Sequence, residues 1–517
     1  MFALTPCRRI AISQSKCTKR RIKCDRSIPS CRKCTIRGFQ CPGYNDFQLK
    51  WTHGRSSRGP KSKALRNHDQ PQSAASKHER DSSITESRLE DDCQLTGRSQ
   101  PGSISSIEDP ATDRCLVDGY TWTTLSDTLL IHFSCHVAPR LTWVDRPDHP
   151  WRTVISPLAS QNNCLRLSVL SLAAAHLAVT SPTGSTSDNV QVLSRRLRDS
   201  SVHILNRKIG LELAGYSSAT ENPLHNLMEI MATALVLCYG EMMIPNSTDW
   251  GIHLYACRTL IRRSIWSTQP EKHSPRKHSD AIDFVVKEVA DIEVFRNMGA
   301  FASDQIFIAN TLHPETAIDG YFKTFMGVFR EITSEERRRQ HLRRIGQRIP
   351  TIDMAVWLTK ASDAYTRAYY DTAWLSAIHE DDSRRYMEAT IRAVYHAVCI
   401  YSHQALASDS GNRAQIERSV SLLELEIEFL TTGSAHMFSH DIFVPLFILG
   451  TECRGNQMKQ DQIEWQFRKL LSSTGIWCNS TALQFLGGFW AASGLQYVNW
   501  IQYARENEQH NGPFLVF

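Results

Sequence analysis

The sequence predicts a small metal-stabilised amino-terminal module, a disordered linker and a large all-α domain. Three observations carry that division. Six cysteines, Cys7, Cys17, Cys24, Cys31, Cys34 and Cys41, fall within 35 residues of a basic segment. From about Pro42 to Thr112 the chain turns to Ser, Gln, Arg, Pro and Gly, with too little apolar surface to offset the entropy of ordering it. Beyond about Leu116 apolar residues recur every three or four positions with few strand-like alternations, the period of helices that bury one face.

Composition sets the bounds. With 517 residues, 41% of them hydrophobic, the chain has apolar material for at least one sizeable core and is neither wholly disordered nor collagen-like. Its longest apolar stretches, such as Met231 to Cys238, fall short of the ~20 residues that cross a bilayer, so no membrane association is expected. The opening 30 residues lack an apolar core followed by a small-residue cleavage site, so secretion is not expected either. Charge is uneven. Residues 1–66 hold 17 Lys+Arg and 2 Asp+Glu, a net of +15; with +6 for the whole chain, the other 451 residues sum to −9. A polycationic end is the footprint of a phosphate-rich partner.

The module is justified by its cysteines. Their order is Cys17-x6-Cys24-x6-Cys31-x2-Cys34-x6-Cys41, and clustered cysteines in an intracellular basic segment bind metal more often than they form disulfides. Tetrahedral zinc takes four such thiolates. So short a segment has no core of its own, and structural zinc would supply ~10 kcal/mol of folding free energy. Between the cysteines lie Thr18-Lys19-Arg20-Arg21-Ile22-Lys23, then Asp25, Pro29, Arg32 and Lys33, and after Cys41 comes Pro42-Gly43-Tyr44.

These residues resemble the fungal-type zinc binuclear cluster of gene regulators. The resemblance implies six cysteines holding two zincs and a short helix presenting Lys/Arg to a CGG triplet in the major groove of double-stranded DNA. It implies base reading by Arg20 and Arg21 and a phosphate contact by Lys23. Arginine can donate two hydrogen bonds to guanine O6 and N7, worth roughly 1–3 kcal/mol of discrimination. Lys19, Lys23, Arg32 and Lys33 would supply the salt-dependent phosphate contacts. The pattern departs at its start. A Cys-x2-Cys opening puts the first ligand at Gln14, which is no thiolate. In the family that cysteine bridges both zincs with the fourth, here Cys31. Three readings compete: Cys7 loops back across nine intervening residues, the opening dozen residues are a misread exon boundary, or the cluster is degenerate and no longer binds DNA. The module boundaries are 14–44, followed by a linker over 45–115. The run Lys19 to Lys23 also suits a nuclear import patch.

In the linker Thr85 can cap a helix from Glu86, but Glu86 to Leu95 is too short for the heptads of a dimerising coiled coil. The third part, 116–517, is justified helix by helix. Ser126 is expected to cap a helix carrying Leu129, Leu130, Phe133 and Val137 and ending near Pro139. Leu165 to Ala178 and Leu227 to Cys238 are apolar nearly all round and should be buried centrally, with an amphipathic helix over Val190, Leu193, Leu197 and Ile204 between them. Further helices are expected around Phe284 to Phe295, Met354 to Ile378, Tyr386 to His403, Ser419 to Leu430 and Thr481 to Arg505. The nine cysteines from Cys93 to Cys478 read as small buried hydrophobes.

Residues Leu129-Leu-Ile-His-Phe133, Val137-Ala-Pro-Arg-Leu-Thr-Trp143, Pro150-Trp-Arg152, Pro157-Leu158 and Leu172-Ala-Ala-Ala-His-Leu-Ala178, with Trp250 and His253-Leu254, are similar to the helical regulatory domain of fungus-specific transcription factors. The two resemblances together imply a nuclear, sequence-specific regulator of RNA polymerase II transcription. Its partners would be DNA and a second copy of the chain, a co-regulator or a small-molecule effector.

An enzyme is not expected: His-Glu-x-x-His, a phosphate-cradling Gly loop, Gly-x-Ser-x-Gly and Gly-x-Gly-x-x-Gly are all missing. His132 with His136, and His436 with His440, are spaced to share a helix face as metal ligands but lack an acidic partner, and read as ordinary histidines. Gly487-Gly488 with Ala491, Ala492 and Gly494 reads as tight helix packing. Glu335-Glu-Arg-Arg-Arg339 with Arg343 and Arg344 reads as a solvated helix face.

Overall fold

A computed structural model describes residues 119–181, 185–213, 223–267, 280–301, 323–373, 381–407, 413–432, 440–492, 499–511 and 514–517. The cysteine segment, the linker and the Thr85 cap lie outside them. Among the described residues every element is helical.

Helix α1 (Gly119–His132) widens into a π turn over Phe133–Val137 and tightens into a 3-10 turn over Ala138–Leu141. The regular α-helix stops at His132, seven residues before the end expected near Pro139, and helical turns run on through that proline to Leu141. The start differs as well. Ser126 caps nothing; it is buried inside α1, because Trp122 and Leu125 extend the apolar face upstream to the core. A second π turn over Trp151–Ile155 leads into α2 (Ser156–Gln161) and, through the Asn162 cap, into α3 (Asn163–Thr180). Asn162 Oδ1 accepts from the Leu165 N–H at 3.0 Å, satisfying one of the open donors of that helix end.

α3 is apolar on nearly every face and lies at the centre of the first half. It is long and apolar enough to cross a membrane by length and composition, yet 72% of it is buried inside the protein. It packs against α1, α4 (Ser185–Leu213) and α5 (Pro223–Met242). Small residues let α3 and α4 approach closely enough for side chains to bond the facing backbone. Ser171 and Ser194 each donate to the other's carbonyl at 2.9 Å, and Ser201 donates to the Cys164 carbonyl at 2.9 Å. α6 (Trp250–Ser267) packs on α5, and α7 (Asp280–Met298) touches both.

The second half gathers around α10 (Asp381–Leu406), which packs on α8 (Lys323–Arg344), α9 (Met354–Ala373), α11 (Arg413–Thr432) and α12 (Phe443–Thr451). All nine residues of α12 are buried. α13 (Gln457–Thr474) ends on Gly475, whose φ of 71° and close approach to Val179 and His176 favour glycine. The single helix expected over Thr481 to Arg505 is two, α14 (Ser480–Ala491) and α15 (Trp500–Asn511). α14 stops where Ala492 turns extended, and Asn499 starts α15 by accepting from the N–H groups of Ile501 and Gln502 at 3.1 Å. Gly488 meets Tyr503 of α15, where a Cβ would lie 2.9 Å from the Tyr503 hydroxyl, so tight packing holds there. Gly494 lies outside the described residues. Contacts of α7 with α8 and α3 with α13 merge both halves into one hydrophobic core.

Two expectations change. The run at Glu335 is only partly a solvated face: Arg338, Arg343 and Arg344 are exposed, but Glu336, Arg337 and Arg339 are buried. Each has a partner that makes burial tolerable. Glu336 pairs with Arg337 and with Arg505 of α15, Arg337 lies 3.9 Å above the Phe301 ring, and Arg339 donates to the Pro350 carbonyl at 2.6 Å. The scattered cysteines behave as expected at positions 164, 238, 257, 399, 453 and 478, which are buried, while Cys135 is exposed. Cys93 and Cys115 lie outside the described residues.

Trp151 ties the first half together. Fully buried, it donates from its indole N–H to the Leu141 carbonyl at 3.1 Å and packs edge-on to Tyr239 and Phe284, both 5.2 Å away. Its neighbour Arg152 donates to the Ser134 carbonyl at 3.0 Å and the Arg146 carbonyl at 2.7 Å, and pairs with Asp145. Trp151→Ala should therefore lower stability by about 3–5 kcal/mol in urea unfolding followed by helical ellipticity. Trp465→Ala, at a residue 55% exposed, should stay within about 1 kcal/mol.

His132 and His136 do share one side of the chain, with ring centres 4.9 Å apart, and a third histidine joins them: His132 Nε2 lies 3.0 Å from His176 Nδ1. No metal-binding group is formed among the described residues. Burial, then His136 and Arg140, pushes His132 down to about 4, and burial, then Arg140 and the other two histidines, pushes His176 down to about 3. Both lie below the ordinary 6.5, so the unfolded chain takes up protons first on acidification. Their contribution is complete above pH 6.5 and lost as pH falls towards 4 and 3. The melting temperature should fall less between pH 7 and 5 in His176→Gln than in the unaltered chain.

Candidate functional site

The residues expected to hold zinc and read DNA precede residue 119: Gln14, Cys7, Cys17, Cys24, Cys31, Cys34, Cys41, Lys19, Arg20, Arg21, Lys23, Arg32 and Lys33 lie outside the described residues. Their chemistry can still be weighed. Five of six ligand positions carry the soft thiolate that zinc takes in structural sites, and the sixth, Gln14, carries a neutral amide.

The described residues contain a second site, a cavity of about 60 Å³. At ~10–15 Å³ for each water it would hold, it has room for a small molecule. One wall is the Arg140–Val144 stretch with His149, positioned by Trp151 and Arg152. Tyr239 of α5 and Lys287, Glu288, Asp291 and Phe295 of α7 form the second wall. His440, Asp441 and Val444 at the start of α12 close it, with Ile476 and Phe517.

The α7 wall is an internally satisfied polar ladder. Tyr239 Oη donates to Glu288 Oε2 at 2.7 Å, and Lys287 Nζ lies 3.2 Å from Glu288 Oε1 and 3.3 Å from Asp291 Oδ2. Burial, partly offset by Lys287, raises the Glu288 carboxyl; burial and then Glu288 raise the Tyr239 phenol well above its ordinary value. The α12 wall is different. His440 Nε2 lies 2.5 Å from the Thr142 carbonyl and 3.2 Å from Asp441 Oδ1, but His440 Nδ1 and Asp441 Oδ2 are buried with no hydrogen-bond partner. Burial lowers His440 to about 4 and raises Asp441 well above the usual carboxylate range.

Sequence reasoning singled out His440 only through its spacing from His436, which lies outside the described residues. The spacing misled, because His440 precedes α12 and serves the Thr142 carbonyl 298 positions away. It missed Asp441, Tyr239, Lys287, Glu288 and Asp291. The available signals were an acid bordering the unbroken apolar run from Ile442 to Gly450 and charges inside the otherwise apolar Phe284 to Phe295 helix.

The family model of the fungal specific transcription factor domain matches residues 128–511, which include every residue lining this cavity except Phe517. The fungal Zn(2)-Cys(6) binuclear cluster domain matches residues 15–50, beginning one residue after Gln14. No curated protein and no solved structure gives a significant match. A cluster domain of that kind binds two zinc ions, and its pairing with the helical domain makes a DNA-binding transcription regulator. The chain belongs to the fungal-specific transcription factor family, with a zinc binuclear-cluster domain ahead of its large helical domain.

Proposed function

We propose that this chain acts in the nucleus as a sequence-specific regulator of RNA polymerase II genes, reading a CGG-like triplet through residues 14–44. One observation carries the reading: a thiolate-and-arginine segment and the family's helical domain stand in the same chain, in that order, their matches over 15–50 and 128–511 separated by a polar stretch of sequence. Cys17, Cys24, Cys31, Cys34 and Cys41 hold the zincs, and Cys7 is the one further cysteine in residues 1–66 that can complete the set. Zinc supplies the folding free energy that this segment has no core to supply. Arg20 and Arg21 then read guanine edges, while Lys19, Lys23, Arg32 and Lys33 contact phosphates. A triplet is a short address, so a second copy of the chain or contacts from Lys50 to Arg66 must add specificity. The helical domain over 116–517 makes that activity conditional on a small-molecule effector or a co-regulator.

Gln14 favours a second reading, a helical regulator descended from such factors that no longer binds DNA. Specific DNA binding by the full-length chain removes it. In binding titrations Arg21→Ala should lose discrimination at one guanine by roughly 1–3 kcal/mol, whereas Lys23→Ala should weaken all sequences alike and flatten the salt dependence. Equal losses on every sequence from both variants would refute the base-reading role.

A further inference from the structure

The carboxy-terminal end of α8 carries an island of positive charge that its neighbouring acids leave unneutralised. Residues 338–348 contain five arginines and no Asp or Glu, within a region, 67–517, that sums to −9. The acids just upstream are taken. Glu336 is buried against Arg337 and Arg505, Glu331 reaches Lys360 at 2.5 Å, and Glu335 pairs with Arg338 at 2.6 Å. Arg343, Arg344 and Arg348 are exposed, and among the described residues no carboxylate pairs with them; Arg343 meets only the neutral Gln340 Oε1, at 3.3 Å.

The backbone frees these side chains from a capping role. Gly346, at a φ of 68°, ends the helix: its N–H donates to the Arg343 carbonyl at 3.2 Å, and the Gln347 N–H reaches the Leu342 carbonyl at 2.9 Å. Backbone donors thus satisfy the carbonyls that basic side chains at a helix end can serve. Arg339, on the buried side, donates to the Pro350 carbonyl at 2.6 Å and draws the segment after α8 back to the same end of the helix, Arg348 with it. Burial, then Arg343, lowers the Arg339 guanidinium, the mark of cations crowded together.

An exposed cluster of like charge fits a partner of dense opposite charge. The zinc-cluster domain supplies its identity, because it implies duplex DNA. We propose that Arg343, Arg344 and Arg348 form a second DNA contact, through which the helical domain holds the phosphate backbone outside the triplet bound by the cluster. Guanidinium forks match phosphate oxygens and carry no sequence information there, so affinity rises while the triplet still sets specificity. The 68 residues from 51 to 118, between the cluster match and the start of α1, are long enough for both sites to reach one duplex. The assignment rests on DNA binding by this chain and not on which triplet it reads.

The test is the salt dependence of binding by the full-length chain, followed by fluorescence anisotropy on a duplex of about 40 base pairs with one central CGG. Arg343→Gln, Arg344→Gln and Arg348→Gln together should lower the slope of log affinity against log salt by roughly 2–3. Between roughly 50 and 200 mM salt the unaltered chain should therefore lose about 40-fold more affinity than the variant. The corresponding Arg→Lys replacements should keep the slope, and preference for CGG over a scrambled triplet should be equal in all three proteins. Should the triple Gln variant not fold, the single variants decide, each expected to lower the slope by about 0.9. An unchanged slope, or triplet preference lost with the arginines, overturns the contact. An equal change of slope on single-stranded RNA of the same length overturns duplex DNA as its partner. If the unaltered chain has no triplet preference, salt-dependent duplex binding that the Gln variant weakens upholds the contact and overturns the triplet reading alone; no duplex binding overturns both.

Discussion

The helical domain depends on one anchored indole. Trp151 has no exposed surface, and its N–H reaches back across ten residues to the Leu141 carbonyl. That bond fixes the irregular stretch from Phe133 to Ile155, where two π turns and a 3-10 turn replace a regular helix. Arg152 reinforces it by spanning the Ser134 and Arg146 carbonyls and Asp145. With the stretch fixed, Tyr239 and Phe284 pack against the indole, α5 and α7 are set, and the cavity acquires its Arg140–Val144 wall. The motif that carried the family resemblance, from Val137 through Arg152, is thus a structural device that shapes one wall of the cavity.

The same domain shows what a sequence discloses. Helices with a continuous apolar face were legible, since burying Leu165 to Ala178 or Leu227 to Cys238 is the dominant favourable contribution and periodicity records it. Boundaries were less so. Ser126 looked like a cap because its side chain can bond a backbone N–H, but Trp122 and Leu125 carry the buried face past it. The break between α14 and α15 was hidden because apolar residues continue across it, while the Asn499 cap acts through a single side chain. α12, apolar all round, has no period to detect.

Charges were the hardest to place. The acids and bases of Glu335 to Arg339 read as a wet face, yet three of the five are buried, because Arg505 and Phe301 come from distant parts of the chain and the chain after α8 returns the Pro350 carbonyl to Arg339. The cavity is the same case: Thr142, Tyr239, Glu288 and Asp441 converge from four separate regions, and no spacing within one helix announces them. The amino-terminal module is the opposite case, because the cysteines and cationic residues of its pattern lie close together in sequence. The pattern is therefore readable position by position, including the discordant Gln14.

Gln14 is the point on which the DNA-reading assignment turns, because a cluster of two zincs needs six ligand positions and the motif itself supplies five thiolates. The most direct test is the number of zinc ions retained by the purified full-length chain after dialysis against zinc-free buffer. Two ions per chain, falling when Cys7 is replaced by Ser, is the result expected of an intact cluster. One ion or none would contradict it.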